Sequence, residues 1–139
     1  MTLDTQIAKE WDQLGFYYEY DDELKQWRFI GSKQGLSQLI NIIIDYTSNK
    51  SNNGLSEHIH LGPYSYLKII TWNEPIITKD YIAGAPDDLK MLASLITGKL
   101  KVISTGNAFK IDKEYSPKNS GSLLFIVMAD EFQPAVIEL

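Results

Sequence analysis

Two stretches of this chain repeat one pattern without a gap, 53 residues apart. Phe29-Ile30-Gly31 is followed by Leu36, Leu39, Ile42 and Ile43, and Ile82-Ala83-Gly84 is followed by Leu89, Leu92, Leu95 and Ile96. In each, a β-forming run ends at glycine and gives way to apolar residues at helical spacing. Glycine at that place predicts a sharp strand-to-helix turn with positive φ, which a side chain resists. A further candidate strand precedes each pattern. The halves therefore read strand, strand, glycine turn, helix over about residues 16–46 and 64–97. Duplication accounts for the match, and so does convergence on common turn chemistry; the architecture is the same either way.

The rest of the chain fits around these halves. Ile7, Trp11 and Leu14 share a face and predict a short N-terminal helix over Thr5 to Leu14, capped by Asp4 or Thr5 and ended by Gly15. Phe16 to Tyr20 and Trp27 to Ile30 read as a hairpin turned by Asp21, Asp22 and Glu23. A helix carries Leu36, Leu39, Ile40 and Ile43, and Thr47 to Gly54 is a polar loop, expected to be the most mobile segment. Leu55 to Gly62 is extended. Tyr64 to Trp72 and Ile76 to Ile82 are the next strands. A second helix runs from Pro86 to Thr97, with Pro86, Asp87 and Asp88 suited to its start and Gly98 to its C-cap. Lys101 to Ser104 reads as a short strand, and Gly106 to Ser122 is a polar connection without an assignment. Leu123 to Met128 is apolar on both faces, as a central strand is. The tail, with Val136, Ile137 and Leu139, is expected to dock. The expected fold is α+β: ββα-ββα-β, one mostly antiparallel sheet with both helices on one face and a short N-terminal helix.

Composition narrows the function classes. A chain of 139 residues with 44% hydrophobic content is expected to form one domain with its own core. With no cysteine there is no disulfide, thiolate metal site or cysteine nucleophile, which fits a reducing cytoplasm. Residues 1–5 lack the basic and apolar regions of a signal peptide. The longest apolar runs, such as Leu123 to Ala129, are too short to span a bilayer, so a cytoplasmic protein away from membranes is expected. The formal charge of −5 disfavours nucleic acid and suits a basic protein partner.

No catalytic motif is present: there is no Gly-x-Ser-x-Gly, no phosphate-binding glycine loop and no His-Glu-x-x-His. The paired acids are explained by a hairpin turn and a helix start, so no enzyme is expected. Alternation along the Tyr64–Trp72 strand puts Leu67 and Ile69 with Ile59 and Leu61 on one face. Tyr64, Tyr66 and Trp72 fall with His58 and His60 on the other. Tyr18 and Tyr20 can extend that second face, and Asp21 and Asp22 stand at its hairpin. Open aromatic area of this kind fits an interface with a protein partner or a homodimer, and it fits equally a second minor core covered by the chain's own terminal helix or tail. His58-x-His60 places two rings on one side of a strand, so the alternative is a small-ligand carrier binding haem or a divalent metal. Glu57, Glu19 or Asp80 would then complete the set.

The run Gly62-Pro63-Tyr64-Ser65-Tyr66-Leu67-Lys68-Ile69-Ile70-Thr71-Trp72, with Ile82-Ala83-Gly84 and Asp88-Leu89-Lys90-Met91-Leu92-Ala93, resembles small uncharacterised bacterial α+β proteins. Some of these are grouped with immunity proteins of polymorphic toxin systems. The resemblance covers roughly residues 57–97. It implies a compact α+β domain that acts by binding, and it brings no catalytic residues.

Overall fold

A computed structural model describes residues 3–118 and 120–138. The chain runs α1 (Leu3–Leu14), β1 (Tyr17–Asp21), β2 (Gln26–Ser32), α2 (Lys33–Ser48), β3 (His58–Leu61), β4 (Leu67–Thr71), β5 (Ile76–Ile77), β6 (Tyr81–Gly84), α3 (Pro86–Val102), β7 (Ala108–Ile111), β8 (Ser122–Met128) and α4 (Ala135–Glu138). The fold is α+β, but the strands form two sheets where one was expected. Their orders are β1-β2-β8-β7 and β3-β4-β6-β5. Both are mixed: the outer pairs are antiparallel, and the central pairs β2–β8 and β4–β6 are parallel. Period-two patterning says which face a strand buries but not which strand lies beside it.

The two sheets share one register. In the first, Tyr18 pairs with Phe29, Phe29 with Phe125, and Phe125 with Phe109. In the second, Ile77 pairs with Ile82, Ile82 with Ile69, and Ile69 with Ile59. Gly31 stands beside Val127 just as Gly84 stands beside Thr71. The repeating arrangement is thus ββαββ, once from β1 to β4 and once from β5 to β8. The two halves exchange hairpins, since each sheet takes its first hairpin from one half and its second from the other. α2 packs on β2 and β8, α3 on β6 and β7, and the helices pack on each other. One continuous core joins both sheets.

Gly31 and Gly84 do not have the positive φ expected of them. Their requirement is space. A Cβ on Gly84 would lie 2.5 Å from the Tyr115 hydroxyl and 2.9 Å from the Asp88 Cβ; one on Gly31 would lie 3.1 Å from the Phe16 Cβ. Past Gly31, Ser32 caps α2 by accepting from the Gly35 amide at 3.0 Å. Past Gly84, the Asp88 carboxylate accepts from the Ala85 amide at 3.0 Å and starts α3.

Several boundaries move for identifiable reasons. Leu55 to Gly62 contains β3, the hairpin partner of β4, and Tyr64 and Tyr66 precede β4 in a loop. The Ile76–Ile82 stretch breaks at Thr78, whose side-chain oxygen accepts from the amides of Asp80 and Tyr81. Gly98 lies within α3 with open space around it. The helix continues to Val102 and buries Leu100, so residues 101 and 102 are helical rather than strand. The polar connection after Gly106 contains β7. The loop after α2 holds a 3-10 turn, Lys50–Asn53, where the Asn52 side-chain amide donates to the Tyr46 carbonyl and the Thr71 hydroxyl donates to the Asn52 carbonyl. The tail docks through buried Ala135, whose amide donates to the Asp12 carboxylate, but Val136 and Ile137 are exposed; Leu139 lies outside the described residues.

Candidate functional site

Three of the five residues of β1 are tyrosines, Tyr17, Tyr18 and Tyr20. Tyr18 points inward and is buried, and its hydroxyl donates to the Leu61 carbonyl where β3 ends. This bond ties the edge of one sheet to the loop of the other. Burial pushes the Tyr18 phenol up, against smaller opposing effects of backbone hydrogen bonds. The loop then turns back at Gly62 (φ 80°), where a Cβ would meet the Tyr18 ring at 2.8 Å. Ser65 also lies in the left-handed region, at φ 57°, which is costly for a residue with a side chain. The Ser65 amide donates to the Gly62 carbonyl at 3.3 Å, and the Ser65 carbonyl lies 3.1 Å from His60 Nδ1. This taut loop presents two rings, Tyr64 and Tyr66, stacked with centroids 5.3 Å apart.

Those rings close one side of a half-open cleft of about 400 Å³. α1 brings Trp11, which meets Tyr17, Tyr18 and Tyr64 at centroid distances of 4.7, 5.1 and 6.3 Å. β2 brings Trp27 to the cleft floor, its indole N–H donating to the Thr78 carbonyl at 2.7 Å. Tyr20 stands edge-on to it at 5.0 Å. Glu19, Asp22, Lys79 and Asp80 complete the lining. Burial raises the Tyr20 phenol first, and the negative charges of Asp22, Asp21 and Asp80 raise it further. The volume falls in the range of roughly 300–1,000 Å³ usual for small-ligand sites, and the lining is mainly aromatic.

Of the residues singled out above, Tyr18, Tyr20, Asp22, Tyr64 and Tyr66 meet in this cleft. They meet at a junction between the two sheets, not on one open sheet face. Asp21 is not in the lining. Its carboxylate accepts from the amides of Glu23 and Leu24 and from Arg28, so it builds the hairpin turn. Trp72 follows β4 and stands outside the lining, with its amide donating to the Gly84 carbonyl. Trp11, Tyr17, Trp27, Glu19, Lys79 and Asp80 join the lining without having been singled out as its members. Trp11 reads as core from helical spacing alone, and only the unforeseen turn at Thr78 delivers Lys79 and Asp80.

His58 and His60 are exposed with ring centroids 5.1 Å apart. His58 Nδ1 lies 2.9 Å from the Ser56 carbonyl and His60 Nδ1 3.1 Å from that of Ser65, which favours protons on Nδ1. Among the described residues no group of three or more His, Asp or Glu side chains could hold a metal ion. Among them, too, no helix is long and apolar enough to cross a membrane. No protein-family model, no curated protein and no solved structure matches the chain.

Proposed function

We propose that this chain is a non-enzymatic protein-binding module that grips a polypeptide segment in the cleft between β1 and the Gly62–Tyr66 loop. One observation supports the reading above all. Seven aromatic residues line a half-open cleft, and Tyr66 remains 67% exposed at its mouth. Tyrosine and tryptophan offer large contact area at small entropic loss, which is why they dominate binding hot spots. The strained Ser65 fits this reading, since a left-handed non-glycine residue persists where the surroundings fix it. A role of immunity type, neutralising one partner by holding it, is the biological form that the resemblance implies.

The test is selection of binding peptides from a displayed random library, followed by competition. Binders should shift the Trp27 indole resonance and lose affinity by about tenfold or more in Tyr64→Ala/Tyr66→Ala, a hot-spot effect of at least 1.4 kcal/mol. Binders that ignore both tyrosines and leave the indole resonance in place would sink the proposal. A second reading, a divalent metal on His58 and His60, draws on their paired rings and on Nδ1 atoms already engaged by carbonyls, which leaves Nε2 to coordinate. Stoichiometric zinc uptake, lost in His58→Ala, would support it; uptake unchanged in that variant would refute it.

A further inference from the structure

We infer that the cleft is built for an arginine side chain on a basic protein partner, a reading that rests on the cleft being the binding site proposed above. Two features of different kind converge there. The first is the ring system: Tyr20, Trp27, Tyr64 and Tyr66 present aromatic surface around one space. Aromatic faces carry negative quadrupole potential and attract cations, guanidinium above all because it is flat and stacks. The second is charge. Glu19, Asp22 and Asp80 line the same space, with Lys79 the one base in the lining among the described residues. Glu19 already lies 3.8 Å from Arg28, whereas Asp22 and Asp80 make no ion pair among the described residues.

The negative potential is concentrated where the rings are. Asp22, Asp21 and Asp80 all act on the Tyr20 hydroxyl in the direction that disfavours its ionisation. A cation entering beside Tyr20 would therefore come within reach of these carboxylates. Guanidinium also matches the donor arithmetic: it has five N–H groups in a planar fork, against two unpaired carboxylates on the rim. The formal charge of −5 would draw a basic polypeptide toward the chain as a whole. Lys79 is then a competitor, sharing the rim with the acids the arginine would use.

The probe is a short glycine-serine peptide with one central arginine, compared with the same peptide carrying citrulline, which keeps the shape and loses the charge. Binding is read from the Trp27 indole N–H and the Tyr66 ring resonances of the full chain. The arginine peptide should bind about tenfold or more tighter than the citrulline peptide, a difference of 1.4 kcal/mol or more, and weaken as salt rises. Asp22→Asn/Asp80→Asn should remove most of that preference without moving the melting temperature, and Lys79→Ala should tighten arginine binding.

Equal binding of the two peptides would overturn the inference. So would methylguanidine binding as tightly as the arginine peptide, because the site would then serve a free small cation. So would cleft resonances that move only when the chain binds a second copy of itself. The two proposals fail separately. If display selects neutral peptides that occupy the cleft, the charge argument falls and the binding module stands. If selected peptides bind elsewhere and the arginine peptide leaves the cleft untouched, both fall.

Discussion

The two sheets run the same strand order in the same register, yet they are filled and closed differently. Across the first runs a row of rings, Tyr18, Phe29, Phe125 and Phe109, with Phe125 stacked between Phe29 and Phe109 at 4.9 and 4.8 Å. Across the second, the equivalent row is isoleucine throughout: Ile77, Ile82, Ile69 and Ile59. The loops that close these sheets differ as much. The longer one, between β7 and β8, sends Tyr115 inward, where it is buried and donates to the Ala83 carbonyl at 2.7 Å. The same loop bonds backbone to backbone with the edge strand β5, from the Gly121 amide to the Ile77 carbonyl at 2.9 Å. At the shorter loop, between β3 and β4, the edge strand β1 reaches across through the Tyr18 hydroxyl, which donates to the Leu61 carbonyl at the end of β3, and Tyr66 is left outside. One half of the molecule fills its junction with a buried ring and keeps only a smaller pocket beside β5, and the other leaves a wider aromatic cleft.

That contrast assigns opposite jobs to two tyrosines in equivalent loops, and the largest expected effect separates them. Tyr115→Ala removes a fully buried ring and should cost about 3–5 kcal/mol, as large aromatic truncations in cores do. Tyr66→Ala should stay within about 0.5 kcal/mol, as surface changes do. Chemical denaturation of both variants checks this. A comparable loss in the two would mean that the short loop also holds the fold together, and the comparison would break.

The glycines before the helices give the next effect in size. Gly84 faces the Tyr115 hydroxyl, so its missing Cβ is part of the seal; the Gly31 site is less crowded. Gly84→Val should cost about 3 kcal/mol, the upper end for overpacking a tight site. Gly31→Val should cost less, and Asn53→Ala, in an exposed turn, should fall within about 0.5 kcal/mol. Melting curves that placed Gly31→Val below Gly84→Val would reverse the ranking of the two junctions.

Much of this was legible in the residues, and the parts that were not have physical causes. Helical stripes such as Leu89, Leu92 and Ile96 carry their own period, so both long helices can be read directly. The glycines stand where strand meets helix, although the reason is close approach rather than φ. Pairing is another matter. β2 lies against β8 across most of the chain, and no local pattern encodes that choice. β7 is a four-residue edge strand that buries only Ile111 fully, so its pattern is too short to stand out from a loop. The cleft suffers most from this. Tyr18 to Tyr20 and Tyr64 to Tyr66 are conspicuous in the sequence, but only the exchange of hairpins between halves brings them together with Trp11, Lys79 and Asp80.

Smaller losses than those of Tyr115→Ala and Gly84→Val come from single hydroxyls, and they sharpen the comparison because both junctions use one. Tyr115→Phe leaves the Ala83 carbonyl without its phenol partner, and Tyr18→Phe does the same to the Leu61 carbonyl. Each should cost about 1 kcal/mol at neutral pH, the usual net value of one hydrogen bond. Alkali should then tell them apart. Burial raises the phenol of Tyr115 far above its usual range and that of Tyr18 less completely. Below the unfolded pKa of about 10 both phenols are neutral in either state, so their stabilisation is fully present. Above it the unfolded chain loses protons that the folded chain keeps, and stability falls as pH rises. Each such group contributes a slope of up to about 1.4 kcal/mol per pH unit. Tyr115→Phe should therefore flatten the alkaline decline measured by denaturation above pH about 10, and Tyr18→Phe should flatten it less. An unchanged alkaline slope in Tyr115→Phe would mean that the junction read here as sealed opens to hydroxide without unfolding, and the two halves would then be closed alike.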